Sequence, residues 1–355
     1  MIAPLHSGTA ISGNVWRVAV AGTVLAAGLF CLLVLSAGTG FMDIGPGHVI
    51  RIILSPFRND AMQGITPVMQ TIVMDVRLPR ILSAALVGGC LGMAGAVFQA
   101  ILLNPLADPY TLGIASGAAF GASISLLIAV AGLAIPGSTP VFAFAGAVAA
   151  LGAVLYLSSD DTDFSSSGLI LAGVIVSSIL SAAIGFMKYL ADEQVGVIIF
   201  WLMGSFASSS WQGVAMVGAA SVAGLAVAIF YSRDLNIMAT GHRTAGTLGV
   251  NPALTRKVLL VTCSLVTAVC VSVSGIIGFV GLIVPHLLRM ATGPDNRSLI
   301  PLSFAAGALL LLGADTITRA VLPSEVPIGV LTALIGGPFF CFIFKQHRKS
   351  GVKNG

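Results

Sequence analysis

The stretch VLLVTCSLVTAVCVSVSGIIGFVGLIVPHLL, residues 258–288, decides the fold because it runs for 31 residues without a charged side chain. As one straight helix it would measure about 46 Å, whereas the hydrocarbon core of a bilayer is about 30 Å thick. The sequence SVSG at residues 272–275 offers a break. We therefore predict two membrane helices here. This arrangement places Arg256, Lys257 and Arg289 on one side of the membrane, as the positive-inside tendency favours.

The rest of the chain has the same apolar character. Its residues are 57% hydrophobic and only 8% charged, whereas a soluble domain is about 25% charged. The apolar runs do not alternate in polarity as membrane-spanning strands would. We predict an all-α polytopic membrane protein with about ten transmembrane helices, forming a single domain over residues 1–355. Seven further apolar runs lie at residues 18–37, 81–103, 114–135, 168–187, 213–231, 299–314 and 328–344.

The basic residues predict an orientation. In a ten-helix arrangement, eleven of the 17 Lys and Arg residues fall on one side, which predicts that both termini are cytoplasmic. The run 18–37 is too long for a signal-peptide core and is interpreted as a retained first helix. The segments 94–105 and 274–285 share a Gly and a Pro at the same spacing. This weak repeat favours the inverted-repeat arrangement of many transporters.

Several classes of chemistry find no support in the sequence. The phosphate-binding pattern G-x-x-x-x-G-K-S/T is absent, so we do not expect the chain itself to hydrolyse ATP. All five cysteines lie inside apolar runs, without the spacing of a disulfide framework or a zinc site. No catalytic cluster is evident, and the basic residues form no soluble patch for nucleic acid. We expect a protein that is not an enzyme and that holds no metal or cofactor.

Three segments carry a more specific signal. They are RLPR at residues 77–80 with NPLADP at 104–109, GIIGFVGLIVPHLLR at 275–289, and the region from Asp315 through Arg319 to PIG at 327–329. Together they resemble the permease subunits of the FecCD family, which import iron-siderophores, haem and cobalamin. The resemblance covers residues 15–346. It implies a type II ABC importer permease fold of ten helices, a homodimer, a separate ABC ATPase and a periplasmic or lipid-anchored substrate-binding protein.

The resemblance also implies roles for three arginines. Arg77 and Arg80, expected at the start of the second helix on the outer face, and Arg319 would dock acidic residues of the binding protein, since guanidinium groups suit carboxylates. The competing interpretation for all three arginines is interfacial snorkelling. Arg319 has a further alternative, neutralisation by Asp315, four residues earlier on the same helix face.

The connection at residues 232–252 is similar to the pair of short coupling helices that contact the ATPase in this family. Many relatives carry Glu where this chain has His242, and the alternative interpretation is a plain solvated loop. The residues that match this cytoplasmic coupling segment are Arg233, His242, Arg243, Ala245, Leu248 and Gly249.

The loop at residues 158–168 matches the cytoplasmic gate of the family. Ser165 and Ser166 occupy the gate positions, whereas Asp160, Asp161 and Asp163 stand where relatives often have basic residues. By composition alone the loop is an ordinary polar linker, and that alternative stays open.

The resulting functional hypothesis is alternating access driven by a partner ATPase, at the cell inner membrane. The expected cargo is a ferric siderophore, with haem and cobalamin as further candidates. Residues 168–189 and 328–344 are expected to line the pathway. The rival hypothesis is an ion-coupled secondary transporter, which would need an ionisable group at mid-membrane; Asp315 is its candidate.

Overall fold

The structure is a computed structural model that describes residues 8–40, 44–54, 65–159, 166–320 and 326–352. Within these residues the chain is helical and no strand is present. The helices are α1 (Gly8–Gly38), α2 (Pro46–Leu54), α3 (Pro67–Thr71), α4 (Leu78–Ile101), α5 (Ile114–Val130), α6 (Ser138–Leu157), α7 (Ser166–Ala191), α8 (Val195–Leu202), α9 (Trp211–Phe230), α10 (Ser232–Met238), α11 (His242–Thr247), α12 (Pro252–Ser274), α13 (Val280–Thr292), α14 (Asn296–Ala320) and α15 (Ile328–Val352).

The all-helical membrane fold is confirmed. In the described part of the chain, seven helical stretches are long and apolar enough to cross a bilayer. Three further apolar helices are shorter: Ile114–Val130, Val280–Thr292 and Ile328–Cys341. The predicted number of ten spans is therefore not confirmed, because three of the ten apolar elements fall below the length that spans a bilayer without tilt or thinning.

The predicted break within residues 258–288 is confirmed: α12 ends at Ser274 and α13 begins at Val280. Gly275 adopts φ +71°, and a Cβ there would lie 2.5 Å from the carbonyl oxygen of Trp201. The carbonyl of Ser274 accepts a hydrogen bond from the backbone N–H of Ser205 at 2.8 Å. Non-helical backbone at membrane depth is stable only when such partners satisfy it.

The second span begins earlier than predicted. Helix α3 starts at Pro67, where the Thr66 hydroxyl accepts from the N–H of Met69, and a π-helical segment (Ile72–Arg77) joins it to α4. The prediction that Arg77 and Arg80 begin the second helix was therefore wrong. Polar residues in this stretch, among them Asp75, interrupt the apolar pattern, but they leave the helical backbone hydrogen bonds in place.

Helix α4 lies at the centre of the bundle, and glycines set how closely its neighbours approach. A Cβ on Gly88 would lie 2.3 Å from the carbonyl oxygen of Gly307 on α14, and one on Gly95 would lie 1.8 Å from that of Gly281 on α13. The obstructing atoms are backbone, which cannot rotate away. Helices α4, α13 and α14 therefore pack main chain against main chain, as small residues allow in membranes.

Candidate transport and coupling sites

A buried cluster of charges joins α4 to α14. Asp315, which is 1% exposed, accepts at Oδ1 from Nε of Arg80 (3.0 Å) and at Oδ2 from Nε of Arg319 (2.9 Å). One carboxylate thus receives a charge-assisted hydrogen bond on each oxygen. The pairing of Arg319 with Asp315, which was the alternative to docking, is observed as an ion pair. Asp315 is also shared with an arginine 235 positions earlier in the chain.

The end of α1 completes this arrangement. Arg77 donates to the carbonyl oxygens of Ala37 (2.8 Å) and Gly38 (3.0 Å), and Arg319 donates to the carbonyl and the hydroxyl of Ser36. The three arginines predicted to dock a binding protein therefore gather at one end of the bundle. Their guanidinium groups bond protein atoms, and Arg77 and Arg80 keep only 5% and 9% of their surface exposed.

A cavity of about 240 Å³ opens beside the cluster. Both Arg80 and Asp315 line it, so the ion pair faces open space despite its burial. The other walls come from α8, the α8–α9 connection, α14 and the residues that lead into α15: Phe200, Ser205, Phe206, Ala207, Thr318, Val326, Pro327 and Ile328.

The segment 232–252 forms two short helices, α10 and α11, as expected. Arg233 is exposed, and Leu248 is 62% exposed. Ala245 is fully buried, so its side chain supports the helix pair and offers no surface to a partner. Gly249 adopts φ +83° just after α11, a conformation that glycine allows at a helix end. Helix α11 also contains His242 and Arg243, but the structure does not describe their side chains.

Only one of the two predicted gate residues lies within the described part of the chain. Ser166 is the first residue of α7 and is half-buried. Ser165 lies outside the described residues, as do Asp160, Asp161 and Asp163. The gate assignment therefore stays a prediction.

A polar bridge connects α4 to α13. Gln99 Nε2 donates to the carbonyl oxygens of Gly281 (3.4 Å) and Leu282 (3.2 Å), while its Oε1 accepts from Arg289 at 2.9 Å. A polar side chain within an apolar run is the signal that marks Gln99 in the sequence. Its partners, about 180 to 190 positions later, could not be inferred from that signal.

A second cavity, of about 510 Å³, lies at the break between α12 and α13 beside α15. Helix α15 belongs to the region expected to line the pathway. The walls are apolar or glycine: Leu202, Met203, Ile276, Gly278, Gly329, Val330, Ala333 and Leu334.

These features define a protein of several membrane-spanning helices, with a charge cluster at one end and a helical connection at the other. The chain belongs to the FecCD transport family, whose model matches residues 28–346. It is 40% identical over 284 residues to the cobalamin import system permease protein BtuC of Halobacterium salinarum, covering 80% of this chain and 76% of the relative. It is 35% identical over 325 residues to the hemin transport system permease protein HmuU of Yersinia pestis, covering 90% and 95%.

A solved structure agrees with the fold. The chain superimposes on a metal-chelate type ABC transporter in an inward-facing conformation, with a TM-score of 0.79 and 32% identity. The match covers 91% of this chain and 98% of the other.

Proposed function

We propose that the chain is the membrane-spanning permease subunit of a binding-protein-dependent ABC importer in the cell inner membrane. The observation that carries this proposal is the family match over residues 28–346, which includes both the arginine cluster and the segment 232–252. In this proposal the permease is a homodimer with both termini cytoplasmic. A separate ABC ATPase hydrolyses ATP, and a periplasmic or lipid-anchored binding protein delivers the cargo.

The proposed cargo is an iron complex, with a ferric siderophore first and haem or cobalamin as alternatives. Relatives named for hemin and cobalamin support a large metal-bearing compound. The 510 Å³ cavity beside α15 has apolar and glycine walls without a charged side chain. Such walls suit passage rather than tight binding, so affinity for the cargo would belong to the binding protein.

In the proposed docking mode, Arg77, Arg80 and Arg319 meet carboxylates of the binding protein. Each arginine already holds partners within the chain. Docking would therefore exchange Asp315 and main-chain carbonyls for the incoming carboxylates. The cavity beside Arg80 gives such groups room to approach.

At the other end, the segment 232–252 would contact the ATPase. The exposed Arg233 and Leu248 would supply direct contacts, and His242 and Arg243 on α11 are assigned the same role. Ala245 and Gly249 would maintain the shape of the helix pair. Ser165 and Ser166 would form the gate before α7.

The alternative function, an ion-coupled secondary transporter, finds less support. It requires a carboxylate that can take up and release an ion. Asp315 is the only acidic side chain among the fully buried residues that the structure describes, and both its oxygens are bonded to arginines. Both oxygens thus already hold cationic partners, which an incoming ion would have to displace.

The test is transport by the full-length permease reconstituted in proteoliposomes with its ATPase and binding protein. Uptake of a ferric siderophore, haem and cobalamin would be compared with and without ATP. We expect ATP-dependent uptake of at least one of them, with the siderophore fastest. Uptake that needs only a proton or sodium gradient and persists without the ATPase would support the secondary transporter instead.

Docking is tested in the same vesicles with the double variant Arg77→Glu, Arg80→Glu. We expect loss of the ATP hydrolysis that the binding protein stimulates. Because Arg77 and Arg80 also bond the end of α1 and Asp315, the yield of folded complex and its basal hydrolysis are measured beside it, and the loss counts as a docking defect only where both persist. The control is Arg17→Glu, an exposed arginine on α1, which should leave stimulation unchanged. Normal stimulation in the double variant would remove the docking role.

A further inference from the structure

A second polar cluster lies at the opposite end of α14 from the charge cluster. On α10, Asn236 donates from Nδ2 to Oδ1 of Asp295 at 2.7 Å. Its Oδ1 accepts from both the backbone N–H and the Nδ2 of Asn296, each at 2.9 Å. Both ends of one amide are thus used to connect α10 to the residues that begin α14.

These residues also set the first turn of α14. Asp295 directly precedes the helix, and its Oδ1 accepts from the N–H of Arg297 at 3.0 Å while its carbonyl accepts from that of Leu299 at 2.9 Å. A side-chain acceptor at this position satisfies a helix N–H that has no partner within the helix. The same carboxylate oxygen therefore caps α14 and binds Asn236, so α10 cannot shift without disturbing the start of α14.

Helix α14 is in turn rigidly joined to α4. A Cβ on Gly92 would lie 2.3 Å from the carbonyl oxygen of Ser303, and one on Gly307 would lie 2.2 Å from that of Gly88. The 25 residues of α14 span about 37 Å. Near the far end, Asp315 binds Arg80 of α4. The α4–α14 pair thus forms one unit with a polar connection at each end.

We propose that Asn236 and Asp295 are positioning residues that transmit movement of the segment 232–252 through α14 to the arginine cluster. This inference rests on the proposed function, because it takes that segment as the contact with the ATPase. A signal between the ATPase and the binding protein would then pass along the α4–α14 pair.

The key variant is Asn236→Asp, which keeps the size of the side chain but turns the Nδ2 donor into an oxygen facing Asp295. In reconstituted complexes of permease, ATPase and binding protein, we expect the stimulation of ATP hydrolysis by the binding protein to fall about fivefold. That factor lies within the range of interaction energies between neighbouring polar groups. Basal hydrolysis and the amount of ATPase that co-purifies should stay at wild-type levels.

The conservative variant Asp295→Asn supplies the comparison. It keeps an oxygen that can accept from both Nδ2 of Asn236 and the N–H of Arg297, and we expect it to keep at least half of the wild-type stimulation. The control is Thr23→Ala on α1, an exposed residue outside that segment whose hydroxyl bonds the nearby carbonyl of Ala19. It should behave as the wild type. If Asn236→Asp lowers the yield of folded complex, Asn236→Ala replaces it with the same expected loss.

The outcomes separate the inference from the proposed function. Wild-type permease that neither binds an ATPase nor responds to a binding protein would overturn the proposed function. A responsive wild type with an equally responsive Asn236→Asp variant would overturn the inference alone. An Asp295→Asn variant as defective as Asn236→Asp would do the same. So would loss of the ATPase from a folded variant, because it would place Asn236 in the contact itself.

Discussion

Helices α4 and α7 are both long and apolar, yet their surroundings are opposite. In the span that contains α4, 89% of the most apolar window is buried inside the chain, whereas in the span that contains α7 the share is 28%. The glycines show the difference in part. Gly88, Gly92 and Gly95 of α4 all meet neighbouring backbone, whereas on α7 Gly173 meets the backbone of Thr111 but Gly185 has open space around it. Two helices of similar hydropathy therefore have different roles. Helix α4 organises the bundle, whereas α7 presents an exposed face to lipid or to another chain.

The largest expected effect comes from filling the space beside α4. In Gly95→Ala the new methyl group would lie 1.8 Å from the carbonyl oxygen of Gly281, so α4 and α13 would be forced apart. We expect loss of folded, monodisperse protein in detergent, measured by size-exclusion chromatography and thermal unfolding.

The matched control is Gly185→Ala on α7. Its methyl group meets nothing within 4 Å, and alanine favours a helix by about 1 kcal/mol over glycine. We expect unchanged or slightly higher stability. A Gly95→Ala variant as stable as this control would contradict the close approach of α4 to α13.

The next largest effect is expected at the buried charges that fasten α4. Asp315→Asn leaves the guanidinium groups of Arg80 and Arg319 side by side without their shared carboxylate. Breaking a buried ion pair by removing one partner costs about 3–5 kcal/mol, so the melting temperature of the purified permease should fall clearly. Glu193→Gln, an exposed acid after α7, is the control and should show no shift. An unchanged melting temperature in Asp315→Asn would mean that the cluster contributes little to stability.

The smallest effect on stability is expected on the exposed face of α7. Ile179 is 65% exposed, and Ile179→Cys should change stability by no more than about 0.5 kcal/mol, as surface substitutions do. If α7 faces a second copy in the proposed homodimer, a bifunctional thiol reagent should link two chains in membranes. The background needs Cys31→Ser and Cys341→Ser, since both cysteines are exposed.

Val222→Cys on α9 serves as the control, because Val222 is 73% exposed but lies on a different helix. It should give no linked dimer. Equal linking at both positions would show random collision rather than a defined interface.

Local patterns in the sequence predicted the elements that depend on neighbouring residues. The break after Ser274 followed from the length of an apolar run and a Ser-Gly sequence. The two short helices of the segment 232–252 followed from the family motif. The spacing of glycines on α4 indicates that some helix packs closely against it. That spacing does not reveal which helix does so.

Contacts between distant segments could not be predicted. Arg80 and Asp315 are 235 positions apart and Asn236 and Asp295 are 59 apart, and no periodicity links them. Charge attraction explains why Asp315 needs cationic partners in a buried site, but it does not choose among 17 basic residues. The early start of the second span was missed because hydropathy reports only the polarity of side chains. The helix itself is stabilised by backbone hydrogen bonds, which continue through the polar residues.

The break between α12 and α13 has a consequence for amide hydrogen exchange. Loops usually exchange quickly because water reaches their N–H groups. Here the segment is fastened from several sides: the N–H of Gly275 bonds Val271 at 2.8 Å, and the carbonyl of Ile277 accepts from the Tyr110 hydroxyl at 3.0 Å. Both Gly275 and Ile277 are buried. This stretch has the shape of a loop. Even so, the backbone amide of Gly275 should exchange its hydrogen as slowly as the amides of the helices around it.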